Sequence, residues 1–301
     1  MTPGKKRAVL VTGITGLLGK GFEESYADSY RIVGVHAGDY KVDGARCEHL
    51  TLDIRRQDLV EKLFAAHEFD AVIHAAGVAN VDYAEKHYAE SLESNLVGTL
   101  NITAACRRRG IHLTYISTNA VFDGTHPPYG EADEVHPINK YGSIKVDCEK
   151  LIRETLEHWT IARPILMYGW NHPVSRQNPA TWLIDKLRRG EKVSLVTDVY
   201  ENPLYYRQCA DALDAIIREK PPGVVHLAGE DGVNRYEFGV ALANEFSLDA
   251  ALLSPVDSSF FPSIAPRPKN TTFRTERLRR DLGIKPLTVA QGLALMKKQR
   301  A

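Results

Sequence analysis

The stretch Val9-Leu-Val-Thr-Gly13-Ile-Thr-Gly16-Leu-Leu-Gly19 joins a short apolar run to three glycines spaced three residues apart. The apolar run predicts a strand, and the residues from Leu17 onward predict a helix. Glycines between them allow a tight turn and the close approach of a pyrophosphate, which meets free N–H groups at the helix N-terminus. This variant of the dinucleotide-binding fingerprint predicts cofactor contacts from Gly13, Thr15, Gly16, Leu17, Leu18 and Gly19.

Short apolar, β-branched runs alternate with longer amphipathic stretches through the first half of the chain. The runs predict strands at Ala8 to Thr12, Arg31 to His36, His49 to Leu52, Ala71 to His74, His112 to Ser117 and Thr160 to Arg163. The amphipathic stretches predict helices at Leu17 to Asp28, Gln57 to His67, Ala84 to Arg109 and Ile138 to His158. Together they predict a Rossmann-type α/β fold, a doubly wound parallel sheet whose ligand crevice lies beyond the carboxyl ends of the strands.

The pattern becomes irregular after Arg163, where prolines and glycines mark loops. We expect an NAD(P)-binding domain over residues 1–168, with a helix and strand near 209–228 (Cys209 to Glu219, then Gly223 to Ala228) returning to its sheet. An interleaved, smaller substrate lobe then covers residues 169–208 and 229–301. Four prolines between Ser254 and Asn270 predict a loop held over a surface.

Composition excludes several classes of function. Lys plus Arg and Asp plus Glu both number 38, so no charge bias favours nucleic acid or an anionic membrane. The chain contains no apolar run long enough to span a membrane, and Met1 to Arg7 do not resemble a signal peptide, so we expect a cytoplasmic protein. Four dispersed cysteines predict buried free thiols, and scattered histidines predict no catalytic metal.

The second and third strand ends bear on the choice of cofactor. A carboxylate closing the second strand would bind the ribose hydroxyls of NAD, but His36 stands there, with Asp39 and Lys41 nearby. Without that carboxylate a 2′-phosphate meets less repulsion, so NADP(H) is mildly favoured and NAD(H) stays open. Asp53, followed by Ile54, is placed either to reach the adenine or to cap the next helix.

The fourth and fifth strands end in residues suited to the floor and rim of a site. His74 is followed by Ala75, Ala76 and Gly77, small residues that would let the chain pack against a cofactor. Ser117 and Thr118 end the fifth strand, where a hydroxyl can hydrogen-bond a substrate carbonyl oxygen.

Tyr141 and Lys145 would stand one turn apart on a helix that begins beside this rim. Tyrosine is a poor acid–base group at neutral pH unless a nearby charge stabilises its phenolate. Lys145 could supply that charge and lower the pKa of the tyrosine.

The chain resembles the extended short-chain dehydrogenase/reductase family, and within it the dTDP-4-dehydrorhamnose reductase branch. The resemblance is carried by Ile116-Ser-Thr-Asn-Ala-Val-Phe-Asp-Gly124, Pro128-Tyr-Gly-Glu131, His136-Pro-Ile-Asn-Lys-Tyr-Gly-Ser-Ile-Lys145 and Arg267-Pro-Lys-Asn270. It implies Thr118, Tyr141 and Lys145 as the catalytic trio, with Asn95 supporting the site. Pro164 and Tyr168 resemble the segment beside the nicotinamide.

Two departures from this branch concern the substrate. Ala120 follows Asn119 where the branch usually has an aromatic residue, and Leu166 stands where tryptophan is common. Sugar faces commonly pack on aromatic surfaces, so the loss of two such walls bears on which sugar binds near Asn119 and Ala120.

The resemblance implies an NAD(P)H-dependent reductase of a keto group on a nucleotide-linked sugar, with Tyr141 as general acid. Arg207 and Arg267 are candidates for binding the substrate diphosphate, because guanidinium groups match phosphate oxygens. Two alternatives stay open. One is a nucleotide-sugar epimerase or dehydratase with tightly bound NAD, and the other is a non-catalytic subunit resembling the regulatory partner of methionine adenosyltransferase. Reductases of this kind are often dimers, which leaves a homodimer open.

Overall fold

The computed structural model describes residues 6–39, 41–262 and 264–300. Residues 1–5, on which the signal-peptide expectation partly rests, lie outside the described chain. Its strands are β1 (Ala8–Thr12), β2 (Arg31–His36), β3 (Glu48–Thr51), β4 (Ala71–His74), β5 (His112–Ile116), β6 (Trp159–Pro164), β7 (Met167–Tyr168), β8 (Val193–Val196), β9 (Tyr200–Glu201), β10 (Leu204–Tyr205), β11 (Gly223–Leu227), β12 (Val233–Asn234) and β13 (Leu253–Val256).

Its α-helices are α1 (Leu17–Tyr26), α2 (Gln57–Ala66), α3 (Val81–Lys86), α4 (Tyr88–Leu92), α5 (Gly98–Arg109), α6 (Lys140–Thr155), α7 (Pro179–Arg188), α8 (Tyr206–Glu219), α9 (Arg235–Glu245), α10 (Glu276–Leu282) and α11 (Val289–Lys298). A π-helical turn covers Glu93–Val97, and short 3₁₀ turns cover Asn119–Val121, Ala250–Leu252 and Ser258–Phe260.

A seven-stranded parallel sheet with the order β11-β6-β5-β4-β1-β2-β3 forms the centre of the molecule. Two apolar cores cover its faces, one built largely with α1 and α8 and the other with α2, α5 and α6. The predicted doubly wound parallel sheet is thereby confirmed. Because β1 lies between β2 and β4, the strand order reverses beside β1, which is where such sheets bind ligands.

The predicted helix from Ala84 to Arg109 is wrong as a single element. It is divided into α3, α4, the π-helical turn and α5, and His87 leaves helical geometry between the first two. The predicted loop from Ser254 to Asn270 also begins later than expected, because β13 pairs in parallel with β8. Periodicity gives no warning of β13, since its pairing depends on a strand distant in sequence.

Residues beyond β6 build a third apolar core from α7, α9, α11 and the short strands around them. The strand β11 leaves this region and pairs with β6 at the edge of the main sheet. The division into two lobes at the predicted residue boundaries stays a prediction. A search of the described helices finds none with the length and apolarity that a membrane crossing requires.

Candidate active site

The carboxyl ends of β1, β4, β5 and β6 open into a cleft of about 840 Å³. Fourteen of the residues predicted from sequence line it, from turns and helices far apart in the chain. They are Gly13, Gly16, Leu17, Leu18, Ala75, Ala76, Gly77, Thr118, Asn119, Ala120, Tyr141, Lys145, Pro164 and Arg267. Their assignment to catalysis or binding stays a prediction, but the fold brings them to one surface.

The glycine-rich turn is packed closely enough to demand glycine at its first position. Gly13 has a φ of +74°, and a Cβ there would lie 2.9 Å from the backbone carbon of Ala75. Gly16 precedes α1 without a side-chain cap, so the first N–H groups of that helix face the cleft where Leu17 and Leu18 line it. Free amides at a helix N-terminus suit an anion, and the residues present therefore fit the pyrophosphate of a dinucleotide.

The helix α6 carries Tyr141 and Lys145 into the cleft. Asn139 caps this helix, because its side-chain oxygen accepts a 2.9 Å hydrogen bond from the N–H of Gly142. That cap sets the helix start so that Tyr141 falls in its first turn and Lys145 one turn later. Both side chains are buried, with exposed fractions of 7% and 8%.

The pKa values of Tyr141 and Lys145 differ from what the sequence predicts. Burial raises the pKa of Tyr141 to about 12, with a hydrogen bond to Thr118 acting in the opposite direction. Burial also lowers the pKa of Lys145 to about 8. The expected lowering of the tyrosine pKa by Lys145 is absent here, because the ammonium donates instead to the hydroxyl of Tyr115 at 3.0 Å and the carbonyl of Ile116 at 2.6 Å.

Thr118 and Asn119 form the part of the cleft rim that follows β5. The hydroxyl oxygen of Thr118 accepts a 3.1 Å hydrogen bond from the N–H of Ala120. Asn119 donates to Glu201 at 3.0 Å and to Thr271 at 2.7 Å, which fixes its amide against the far wall. Ala120 is buried against Tyr141, so no aromatic ring stands at this position.

A buried ion pair lies behind the rim. Ser117 donates a 2.6 Å hydrogen bond to Glu149, and Glu149 accepts from the guanidinium of Arg163 at 2.8 Å and 2.7 Å. Burial raises the pKa of Glu149, but the hydrogen bonds and charge of Arg163 outweigh it and leave that pKa below its ordinary value. These contacts hold β5, β6 and α6 together directly beneath Thr118.

Several predicted site residues do not line the cleft. The Asp53 carboxylate accepts hydrogen bonds from Nε and Nη2 of Arg55 and from its backbone N–H, so it serves the turn before α2. Ile54 packs under Gly98 and Gly19 packs on Ile14, both in the core. Thr15 does not line the cleft either. Its backbone carbonyl accepts a hydrogen bond from the hydroxyl of Ser175.

His36 and Asn95 also lie behind the cleft surface. His36 is buried at the end of β2, and burial lowers its pKa, which favours the neutral imidazole at pH 7. It therefore gives a 2′-phosphate less attraction than expected. Asn95 accepts from the N–H of Val78 at 2.6 Å and donates to the carbonyl of Val78 at 3.0 Å. These two hydrogen bonds from Asn95, in the π-helical turn, fix the chain immediately after Gly77.

Arg207 lies apart from the cleft, so its predicted contact with the substrate stays untested. The structure places it at the start of α8, outside the cleft lining, with its guanidinium 3.2 Å from Glu24. Arg267 does line the cleft, where it forms a 2.9 Å ion pair with Asp82. The sequence could not separate the two arginines. Arg207 precedes the helix predicted from Cys209 but lies in the first turn of α8, and Arg267 lies in a segment without regular structure.

Sequence reasoning missed other residues of the cleft wall, including Asp82, Arg176, Glu201, Arg235 and Phe261. Arg235 forms a 2.5 Å ion pair with Glu201, which also accepts from Asn119. None of these residues belongs to a short motif. Asn139 also lines the cleft, and its sequence does carry a signal, because asparagine is favoured at helix N-caps and it directly precedes Lys140 and Tyr141.

Glu23, Cys47 and His49 place three possible metal ligands within 4.8 Å of one another. They lie beside α1 and β3, outside the cleft lining. Glu23 accepts from His49 at 3.2 Å and from the N–H of Arg46 at 2.6 Å, so hydrogen bonds already hold this group together. All four cysteines are free, and Cys106, Cys148 and Cys209 are buried.

A glycine turn that opens a parallel sheet, with threonine, tyrosine and lysine around the same cleft, defines an extended short-chain dehydrogenase/reductase. More narrowly, the chain belongs to the family described as the RmlD substrate binding domain, whose model matches residues 7–301. The resemblance predicted from sequence is confirmed.

Known proteins similar to this chain include two kinds of relative. Methionine adenosyltransferase 2 subunit beta of Mus musculus is 30% identical over 284 residues, which cover 90% of this chain and 81% of that protein. The dTDP-4-dehydrorhamnose reductase of Aggregatibacter actinomycetemcomitans is 26% identical over 290 residues, covering 92% and 94%. A crystal structure of dTDP-4-dehydrorhamnose reductase from Bacillus anthracis str. Ames in complex with NADP superposes with a TM-score of 0.87. It is 26% identical and covers 98% of this chain and 99% of its own.

Proposed function

We propose that this protein is an NAD(P)H-dependent reductase that converts a keto group on a nucleotide-linked sugar to a hydroxyl, as in dTDP-4-dehydrorhamnose reductases. The observation that carries the proposal is the meeting of Thr118, Tyr141 and Lys145 in the cleft that the glycine turn opens. Family membership and full-length similarity to reductases from two organisms support it.

A bound pyridine nucleotide supplies the hydride for such a reduction. The turn at Gly13 and Gly16 and the N-terminus of α1 would hold its pyrophosphate, and Ala75, Ala76 and Gly77 would lie against it. NADP(H) is our mild preference over NAD(H), because no carboxylate closes β2. The NADP complex of the Bacillus anthracis relative supports this choice.

Tyr141 is suited to donate the proton that the substrate oxygen takes up. A raised pKa keeps its hydroxyl protonated at neutral pH, and Thr118 can fix the oxygen that receives the proton. Lys145 remains largely cationic below about pH 8, so its charge can stabilise the phenolate that forms after transfer. The hydrogen bond to Ile116 holds that charge in place beforehand.

The substrate would enter beside Asn119 and Ala120, with its diphosphate near Arg267. Arg267 would have to exchange its ion pair with Asp82 for the phosphate oxygens, and it is sufficiently exposed to do so. We assign the residues at 169–208 and 229–301 to the substrate lobe on this basis. A homodimer stays a prediction.

Incubation of the purified protein with NADPH and a panel of nucleotide-linked keto sugars tests the proposal. We expect NADPH absorbance to fall with at least one of them and to stay constant with the corresponding free sugar. An epimerase or dehydratase would instead convert a nucleotide sugar with no net consumption of NADPH. Constant absorbance with every substrate would reject the reductase.

A second candidate function rests on the similarity to methionine adenosyltransferase 2 subunit beta. In that case the protein would bind a methionine adenosyltransferase and alter its rate. The complete trio of Thr118, Tyr141 and Lys145 favours the reductase. Addition of this chain to the catalytic subunit distinguishes the two, because the reductase should leave the transferase rate unchanged.

A further inference from the structure

The two positions where the family usually has an aromatic ring carry none in this chain. The cleft has an aromatic side chain elsewhere, at Phe261. Ala120 and Leu166, which occupy positions where relatives often carry rings, both line the cleft. Phe261 and Pro262 line it as well, from the segment that follows β13. Neither was identifiable as a site residue from sequence, because the segment has no regular structure to indicate its direction.

Polar contacts tie this segment to one wall. The backbone N–H and the hydroxyl of Ser258 both donate 2.9 Å hydrogen bonds to Asp198. Lys269 donates to the same carboxylate and, at 2.7 Å, to the hydroxyl of Ser258. These bonds place the 3₁₀ turn Ser258–Phe260 beside Val196 and Val199, two apolar residues of the cleft.

The chain that follows is tied to a second wall. The N–H of Ala265 donates to Asp82 at 3.3 Å, and the guanidinium of Arg267 lies 2.9 Å from the same carboxylate. Asp82 belongs to α3 and itself lines the cleft. Phe261 therefore lies between two points at which the segment is hydrogen-bonded to the rest of the protein.

Two neighbouring phenylalanines differ in where they point. Phe261 lines the cleft and is 44% exposed, whereas Phe260 is 60% exposed and is absent from the lining. Their rings contact each other edge to face, with centroids 5.1 Å apart. An aromatic ring left in solvent at a cleft mouth offers a flat apolar surface that a ligand can cover.

We infer that Phe261 is the surface on which the base of the nucleotide-linked substrate stacks. Tyr141 is deeply buried and must reach the reacting sugar, so the opposite end of the substrate lies toward the exposed mouth, where Phe261 stands. A base stacks on an aromatic ring through its π-face. Arg267, six residues later on the same segment, is placed for the diphosphate between base and sugar. This inference rests on the proposed function.

Calorimetric titration with dTDP tests the inference without requiring turnover. We expect Phe261→Ala to weaken dTDP binding about tenfold, in the range that base–aromatic stacking gives, while Phe261→Tyr keeps it within about twofold. Phe260→Ala is the matched control, since it removes an adjacent ring outside the cleft, and should bind like the native protein. Native affinity of Phe261→Ala for NADPH would show that its cleft is intact.

Three outcomes overturn the inference. They are equal dTDP affinities of the native protein and Phe261→Ala, equal losses in Phe260→Ala and Phe261→Ala, and no binding of dTDP to the native protein. A raised KM for a nucleotide sugar with unchanged dTDP affinity would assign the ring to the sugar and also overturn it. If dTDP binds as expected but no keto sugar is reduced, the reductase proposal fails while the stacking surface stands.

Discussion

Lys145 donates a 2.6 Å hydrogen bond to the backbone carbonyl of Ile116, two residues before Thr118 on the same strand end. The contact joins α6 to β5 and fixes the ammonium at the cleft, with the ring centroid of Tyr115 4.5 Å from the nitrogen. Cation and proton donor are thus positioned by the helix and the strand, and do not depend on direct contact with each other.

This arrangement predicts how activity depends on pH. Because the pKa of Lys145 is lowered to about 8, its charge is present below that pH and lost as the pH rises through it. We expect kcat/KM for NADPH, measured from about pH 6 to about pH 10, to fall above about pH 8, since that parameter reports groups of the free enzyme. Lys145→Arg should be slower but should lack the fall, because arginine stays charged throughout. A flat native profile would contradict the role of the lysine charge.

Removal of the Tyr141 hydroxyl should separate chemistry from binding. Tyr141→Phe keeps the ring that packs in the buried site but removes the proton donor. We expect kcat to fall about 10²- to 10⁴-fold, the usual contribution of general acid catalysis, with little change in the Kd for NADPH. Steady-state kinetics and fluorescence titration of NADPH measure the two effects. A variant with native kcat would exclude Tyr141 as the acid.

Two glycines with left-handed backbone offer a matched test of the cofactor turn. Gly13 has a φ of +74° with Ala75 and Ala76 in close contact, whereas Gly110 has a φ of +62° with open space around it. Gly13→Ala should abolish measurable NADPH binding in a titration. Gly110→Ala should cost stability of the order of 1 kcal/mol for the strained backbone but leave NADPH affinity unchanged. Equal NADPH affinities in both variants would argue against the assignment of the turn.

The buried pair of Glu149 and Arg163 should matter for stability. Their side chains are 0% and 2% exposed, so Glu149→Ala leaves an unpaired charge inside the protein. We expect the free energy of unfolding in urea to fall by about 3–5 kcal/mol. Glu154→Ala, which breaks an exposed pair with Lys150 on the same helix, should change it little. Similar losses in both variants would count against a special contribution of the buried pair.

Protonation of the Glu149 carboxylate makes the stability that the buried pair contributes depend on pH. The pKa of Glu149 is lowered in the folded protein, so its contribution is present above the unfolded pKa, which is about 4.3 for glutamate. That contribution is lost as the pH falls through the lower, folded value. The native protein should therefore lose stability in acid more steeply than Glu149→Gln.

Much of the main sheet could be predicted from local sequence. The bounds of β1, β2 and β4 match the predicted strands, because apolar β-branched runs between turn signals have few alternatives in a chain of this type. Predicted helix ends were less exact: α1 ends at Tyr26, two residues before the predicted Asp28. Helix ends depend on caps and on tertiary contacts that propensity does not describe.

The candidate site was predictable only where motifs are contiguous. Gly13, Tyr141 and Lys145 belong to such motifs, and the fold brings them to one cleft. Arg207 lies apart from the cleft, because it stands in the first turn of α8 and forms an ion pair with Glu24. Phe261 has no sequence signal, because it follows the short 3₁₀ turn in a segment without regular structure. The predicted lowering of the Tyr141 pKa is wrong, because burial raises that pKa to about 12 and the Lys145 ammonium donates to other groups.

The most direct test of the reductase proposal is isotope transfer from NADPH carrying deuterium at the transferable position of the nicotinamide. The native protein should move deuterium to the former keto carbon of dTDP-4-dehydrorhamnose, with one NADP⁺ formed per sugar reduced. Mass spectrometry of the product should show this label, and Tyr141→Phe should form almost none. A reduced sugar without deuterium at that carbon, or no reduction of any nucleotide-linked keto sugar by the native protein, would contradict the proposed function.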